Sequence, residues 1–483
     1  MSYAEFLFEA GDFRKAARES ERVIERFPLS PLKEEAQILK ADSFLHAGLY
    51  KEAQAELRQF LGNFAGSPLK EETQIKLLNL LRAEENLKGG PAEEIPRKDG
   101  VQSYGEGAAL SKPTPAEKPV FPPMRAVQVM LFEGKNMEEL REELLRLKRS
   151  GVDTVILRVF HNRGDRFHRF VKPKGDSGVY FNSSHAPVIA DALSPVMDIA
   201  HREGLKVFAW MTTRDADYGL EGREELSCKG YDPVGKKFFR CRGLDIFNDE
   251  VVRHLEALYQ DLASCGIDGI LFQDDLILRY NEGFGENAER LFEEETGQRF
   301  SAKKLYIERE ASPGADYTPA FWEWAAWKNR RLIHVAERLK RAAKKVNPDL
   351  KFAINLMYEA VVKPPYALAW LSQDMEKAVE AGFDYYAIMA YQKQMSDELA
   401  MDTSGINDMI AVMAQSAARI VGEPNKVLIK LQTMDFSTQR ALKNEDVVRL
   451  LRRVKGIEGL SIAVVPYRSD FPFDELGGDA LLN

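Results

Sequence analysis

The sequence predicts a (β/α)8 barrel of the TIM type, preceded by a small all-α helical-repeat domain. Three observations predict it. From residue 124 onward, eight short apolar runs alternate with amphipathic helical stretches, the pattern of parallel strands returned by helices. The first 88 residues repeat themselves at an offset of 37. Finally, the run Gly269 to Phe272 is apolar throughout and is followed at once by two adjacent carboxylates, Asp274 and Asp275. Such a run reads as a strand covered by helices on both faces. At 483 residues the chain exceeds what one core serves. The expected division is repeats over 1–88, a disordered linker over 89–122 and the barrel over 123–483.

The repeat is read residue by residue. Ala10-Gly11-Asp12-Phe13 recurs as Ala47-Gly48-Leu49-Tyr50, and Pro31-Leu32-Lys33-Glu34-Glu35 as Pro68-Leu69-Lys70-Glu71-Glu72. Between them Ala16 matches Ala53, Ile24 matches Leu61 and Phe27 matches Phe64. Apolar residues at helical spacing, with a turn glycine in each copy, predict paired antiparallel helices. The pattern resembles the longer-period tetratricopeptide repeats of cell-envelope assembly proteins. That resemblance implies a concave surface for a protein partner; a spacer module is the other reading. The linker opens on Gly89-Gly90-Pro91 and closes on Phe121-Pro122-Pro123, with too little apolar content between to form a core.

In the barrel, strands are expected over 126–132, 154–160, 206–211, 269–272, 351–356, 385–390, 426–432 and 459–465. Helices are expected over 137–150, 193–203, 250–265, 322–346, 372–381, 406–420 and 444–454. The longest insertions follow the second, third and fourth strands. A barrel of this kind is packed inside, so chemistry belongs to the loops at the carboxyl ends of the strands.

Composition narrows the function. A net charge of −8 with no long basic run argues against a nucleic-acid binder. No apolar run reaches membrane-spanning length, and the start, Met1-Ser2-Tyr3-Ala4-Glu5-Phe6, has no signal-peptide pattern. Cys228, Cys241 and Cys265 form no disulfide framework and no metal-ligand spacing. Free thiols are expected, with a Cys228–Cys241 bridge as the alternative.

The strand ends gather sugar-binding chemistry. Arg158 and His161 close the second strand; Trp210 closes the third, with Arg214, Asp215 and Asp217 beyond it. Asp274 and Asp275 follow the fourth, Asn355 and Tyr358 the fifth, and Tyr391 the sixth. Gln432 and Asp435 stand at the seventh, and Tyr467 and Asp470 at the eighth. Rings stack on pyranose faces, while carboxylates and amides bond to hydroxyls. Each residue also has a plainer reading. Trp210 serves equally as a core ring, His161 as a polar loop residue, Arg158 as a counter-ion, and the aspartate pair as a helix cap with a solvated neighbour.

One combination goes further. Asp268-Gly269-Ile270-Leu271-Phe272-Gln273-Asp274-Asp275 follows a helix that contains Leu258-Tyr259-Gln260-Asp261-Leu262. With Val207-Phe208-Ala209-Trp210-Met211, Ala387-Ile388-Met389-Ala390, Leu431-Gln432 with Asp435, and Pro466 ahead of Asp470-Phe471, it resembles the glycoside hydrolase domain of PgaB-type poly-β-1,6-N-acetylglucosamine processing proteins. The likeness runs over residues 124–475. It implies hydrolysis of a partly de-N-acetylated β-1,6-glucosamine exopolysaccharide of biofilms, and a periplasmic or envelope location. A start upstream of Met1 would reconcile that location with the missing export signal.

Three departures shape the expectation. The family's metal-dependent deacetylase domain is replaced by the repeats, so neither deacetylase activity, nor a metal, nor any other cofactor is expected. Gln273 stands where the resemblance implies His. The family's carboxylate past the sixth strand falls where this chain offers Asp397 or Glu398. The adjacent aspartates suggest a substrate-assisted mechanism, in which the 2-acetamido oxygen attacks its own anomeric carbon. Asp275 is assigned as the acid and Asp274 as the group that polarises the acetamido N–H, with the reverse as the alternative. Arg158, Trp210, Asn355, Tyr391, Gln432 and Tyr467 are expected to bind sugar, and Asp215, Asp217 and Asp435 to meet ammonium groups. A competing function is a non-catalytic carbohydrate-binding barrel docked by its repeats to an export or assembly complex.

Overall fold

The computed structural model describes residues 1–9, 12–27, 32–47, 49–64, 73, 77, 122–220, 222–307, 316–399 and 401–477. The chain forms two compact units, Met1–Phe121 and Pro122–Asn483. Nearly all of the expected linker lies outside the described residues.

The first unit contains α1 (Ser2–Glu9), α2 (Phe13–Arg26), α3 (Lys33–His46) and α4 (Tyr50–Asn63). Helices α2 and α4 are both 14 residues long and begin 37 positions apart. Their flanking residues match as well. Asp12 and Leu49 share one backbone conformation (φ −88 and −92°), and so do Phe27 and Phe64 (φ −128 and −125°). The sequence repeat is therefore a structural repeat. Ala16 and Ala53, equivalent in the two copies, are fully buried, because a methyl is all that fits between closely packed helices. Lys40 of α3 reaches Glu21 of α2 and, at 2.8 Å, Glu56 of α4.

The second unit is a closed barrel. Its strands are β1 (Arg125–Val129), β2 (Thr154–Arg158), β3 (Lys206–Met211), β4 (Gly269–Phe272), β5 (Lys351–Met357), β6 (Tyr385–Ala390), β7 (Val427–Gln432) and β8 (Ser461–Val465). Each pairs in parallel with its sequence neighbours, and β8 closes onto β1 with Ala463 opposite Ala126. The interior core takes one residue from every strand: Ala126, Ile156, Phe208, Leu271, Ala353, Ala387, Leu428 and Ala463. Four alanines make room for Phe208. Gly269 does the same, because a Cβ there would stand 2.4 Å from the Phe208 ring.

All eight expected strands form, but the first two are shorter than their apolar runs. After Arg158 the chain leaves the barrel, and Phe160–His161 pairs with Gly178–Val179 in a small hairpin. The insertion after β3 carries a second hairpin, Ser227–Asp232 with Lys237–Leu244. Residues beyond β4 include the helix Glu286–Thr296, and those beyond β5 the helix Pro364–Leu371. These insertions build the walls of the rim where the strands end.

Candidate active site

The two adjacent aspartates after β4 have opposite surroundings. The Asp275 Oδ2 atom accepts hydrogen bonds from the Thr212 hydroxyl (2.7 Å), the Thr213 N–H (2.8 Å) and the Asp215 N–H (2.8 Å). Its Oδ1 atom accepts from the Thr213 hydroxyl at 2.8 Å. Three of these donors crowd one oxygen, and a carboxylate offers about four acceptor positions in all. Asp275 is thus largely committed to fixing the loop after β3, with one position on Oδ1 left open. Arg214 ties the same loop to its neighbours, donating to the carbonyls of Ile277 and Arg242 and to Glu282.

Asp274, half-buried like its neighbour, lies in a less crowded place. Burial raises its carboxyl above the usual carboxylate range; Lys430 pulls it down and the charge of Asp275 pushes it further up. Lys430 is a fully buried cation on β7, brought down to about 8 by burial against the pull of Asp274. It donates to the Asn355 Oδ1 atom at 2.9 Å and lies 5.7 Å from the centre of the Tyr391 ring. Asn355 in turn donates to the Phe272 carbonyl at 3.0 Å. Gln273 donates to Asp274. The half-buried Gln273, Asp274 and Tyr391 and the buried Asn355 and Lys430 therefore form one polar cluster across β4 to β7.

The other sequence-chosen residues divide. The half-buried Trp210 meets Phe160 edge-on at 5.6 Å. Asp215 pairs with Arg242 at 2.8 Å, and burial raises its carboxyl with help from Asp275. Asp217 is exposed. Asp435 accepts from the N–H and hydroxyl of Ser437 and from the Thr438 N–H, bonds that hold it down at about 2 and close a local turn.

Some of these residues are tied into the scaffold. Gln432 accepts from the N–H groups of Lys393 and Gln394 and donates to the Met434 carbonyl, so its amide caps the helix Gln392–Leu399. Tyr467 stacks on Phe473, and its hydroxyl bridges Arg146 (2.8 Å) and Glu143 (3.1 Å). With 6% of its surface exposed it offers no open face to a sugar. Asp397 is paired with Lys393 on its own helix. Glu398 accepts from the Tyr358 hydroxyl (2.9 Å) and from the Gln394 amide (2.8 Å).

Sequence reasoning passed over two groups. Lys430 was legible as a charge inside an otherwise apolar strand, Val427-Leu428-Ile429-Lys430-Leu431. Glu359, two residues past β5, carries a carboxyl that burial pushes up to about 7, aided by Glu398. Its Oε2 atom is buried with no hydrogen-bond partner among the described residues, as are Trp210 Nε1, Gln273 Oε1 and Arg158 Nε. Buried polar atoms are nearly always satisfied. Unsatisfied ones at the ends of β2, β3, β4 and β5 mark a surface built to receive hydrogen-bonding groups.

A closed (β/α)8 barrel with perturbed carboxyls and spare polar atoms at its strand ends defines a carboxyl-site barrel enzyme. Residues 132–462 match hypothetical glycosyl hydrolase family 13. The chain belongs to that family and is a glycoside hydrolase. Among solved structures, it is similar to the PgaB (BpsB) glycoside hydrolase domain of Bordetella bronchiseptica. That match has 21% identity and a TM-score of 0.56, over 71% of this chain and 94% of that one. It is also similar to the β-galactosidase of the psychrophilic Marinomonas ef1, at 12% identity and a TM-score of 0.50, over 71% of this chain and 54% of that one. These likenesses establish the fold. No curated protein matches the chain.

Proposed function

We propose that the barrel hydrolyses a partly de-N-acetylated β-1,6-linked glucosamine polymer, with Asp274 as the general acid. The observation that carries the assignment is the contrast within the pair. Asp275 accepts from four donors that tie it to the loop after β3, while Asp274 sits half-buried beside that charge, an arrangement that favours keeping a proton. In this reading Asp274 protonates the leaving oxygen, and the 2-acetamido oxygen of the substrate attacks the anomeric carbon. This reverses the role first given to Asp275, which becomes a positioning residue. Polar atoms at the strand ends supply the remaining contacts: Gln273 Oε1 accepts from a hydroxyl or ammonium group and Trp210 Nε1 donates to a hydroxyl or acetamido oxygen.

The polymer's free amines suit the rim above β5 and β6. Glu359 and Glu398 lie there, and Tyr366 stacks on Trp370 at 5.6 Å with both rings over a third exposed. Aromatic faces beside carboxylates fit an amino sugar, which offers an apolar ring face and a cation. The helical hairpins of the first unit are proposed to dock a protein partner in the cell envelope. The test of function is product release from partly de-N-acetylated β-1,6-glucosamine oligomers, followed by mass spectrometry. Shortened oligomers with wild type and Asp275→Glu, but not with Asp274→Asn, are expected. Intact oligomers with wild type would remove this substrate and return the barrel to another glycan.

A further inference from the structure

The rim above β8, β1 and β2 holds a cavity of about 690 Å³, within the size range of small-molecule sites. It is lined by four arginines, Arg158, Arg166, Arg169 and Arg468, against the two carboxylates Glu133 and Asp165. Two of the arginines are buried, and they differ. Arg468 is satisfied: it donates to Asp470 through Nε and Nη2, and to the carbonyls of Thr433 and Leu442 through Nη1. Arg158, 6% exposed, has one acceptor among the described residues, the Asp165 Oδ2 atom at 3.1 Å, which it shares with the Asn162 N–H. Its Nε has none.

A guanidinium carries five N–H donors, and a buried cation left short of acceptors is costly. Arg166 and Arg169 are exposed, and among the described residues neither has a carboxylate partner. Between them Phe167 also lines the cavity, half-buried and stacked on His161 at 4.1 Å. Planar forks around an open space recognise planar or tetrahedral oxyanions, carboxylate and phosphate above all. We propose that this cavity is a second glycan subsite, which takes a sugar bearing an oxyanion, with Arg158, Arg166 and Arg169 on the anion and Phe167 beside the ring. The site goes beyond the amino-sugar reading: a chain of glucosamine units bears no oxyanion, so this subsite takes an acidic sugar or substituent that such a chain by itself lacks.

The test is saturation-transfer NMR on the full chain with glucuronate, glucose 6-phosphate, glucose and inorganic phosphate at low salt. Glucuronate or glucose 6-phosphate should bind about tenfold more tightly than glucose, and the tighter of the two names the oxyanion. The double variant Arg166→Ala/Arg169→Ala changes only exposed side chains and should weaken that binding about tenfold. Arg158→Lys, which keeps the charge but loses the fork, should weaken it too. Equal binding of glucose, or affinity unchanged in the double variant, would overturn the proposal. So would inorganic phosphate binding as tightly as both acidic sugars, since the ring would then contribute nothing. Binding retained in Asp274→Asn separates this result from the fate of the hydrolase reading, which depends on the opposite half of the rim.

Discussion

Above β3 to β6 the rim of the barrel carries Asp215, Asp274, Asp275, Glu359 and Glu398; above β8, β1 and β2 it carries Arg158, Arg166, Arg169 and Arg468. Both halves hang on the same strand-and-loop plan, and in each a chemically matched pair divides its labour. Asp275 and Arg468 each make four hydrogen bonds and hold loops together. Arg158 is buried with an Nε that has no partner among the described residues, and Asp274 is half-buried with a carboxyl raised by desolvation. The count of hydrogen-bond partners, rather than residue type or position, separates scaffold from available chemistry. Burial gives that difference its weight, because a satisfied buried ion is stable and a half-satisfied one is costly unless a ligand completes it.

The sharpest break in the comparison is Asp274→Asn. Loss of a general acid should lower the hydrolysis rate about 10³-fold while leaving the unfolding midpoint unchanged, as read by reducing-end release and by urea titration. Asp275→Ala should do the reverse first. It strands four donors, two of them backbone N–H groups, and should cost about 3 kcal/mol or more of stability. If both variants lost activity with equal stability loss, the division between scaffold and acid would fail.

Glu359→Gln sharpens the acidic half through its pH dependence. Burial holds the folded Glu359 carboxyl at about 7, above its ordinary value of 4.5. Between those two values the folded state keeps a proton that the unfolded chain has released, so wild type loses stability as pH rises through that window. The glutamine variant lacks this loss. Its advantage over wild type should be absent at pH 4 and grow to at most about 3 kcal/mol by pH 8, as followed by thermal unfolding. An advantage that shrank with rising pH would contradict the burial argument.

The mildest perturbation is Lys430→Met, which keeps the volume and removes the cation beneath Asp274. Without its pull the Asp274 carboxyl rises further. The alkaline limb of the pH–rate profile should therefore move to higher pH, with the fold intact by circular dichroism. An unmoved limb would detach Lys430 from the acid.

Most of the fold could be read directly from the chain. Eight apolar runs of strand length, each followed by a helical stretch, leave a closed parallel barrel as the economical arrangement, because every strand must be covered on both faces. The register of the helical repeat was equally plain, since Ala16 and Ala53 must both be small where helices touch. The aspartate pair was visible as charge at the end of a buried strand. Its division of labour was not, because Thr212, Thr213 and the Asp215 N–H reach Asp275 across some sixty positions of sequence. Glu359 was missed for a related reason: its raised carboxyl comes from burial and from Glu398, neither of which a local pattern encodes. Tyr467 and Gln432 looked like sugar ligands until Glu143, Arg146 and the helix at Gln392 were seen to claim them. Periodicity is a local property and determined the elements, the barrel and the rim. Desolvation and partner count are sums over distant segments, and only the tertiary structure decided which rim residues remain free to act.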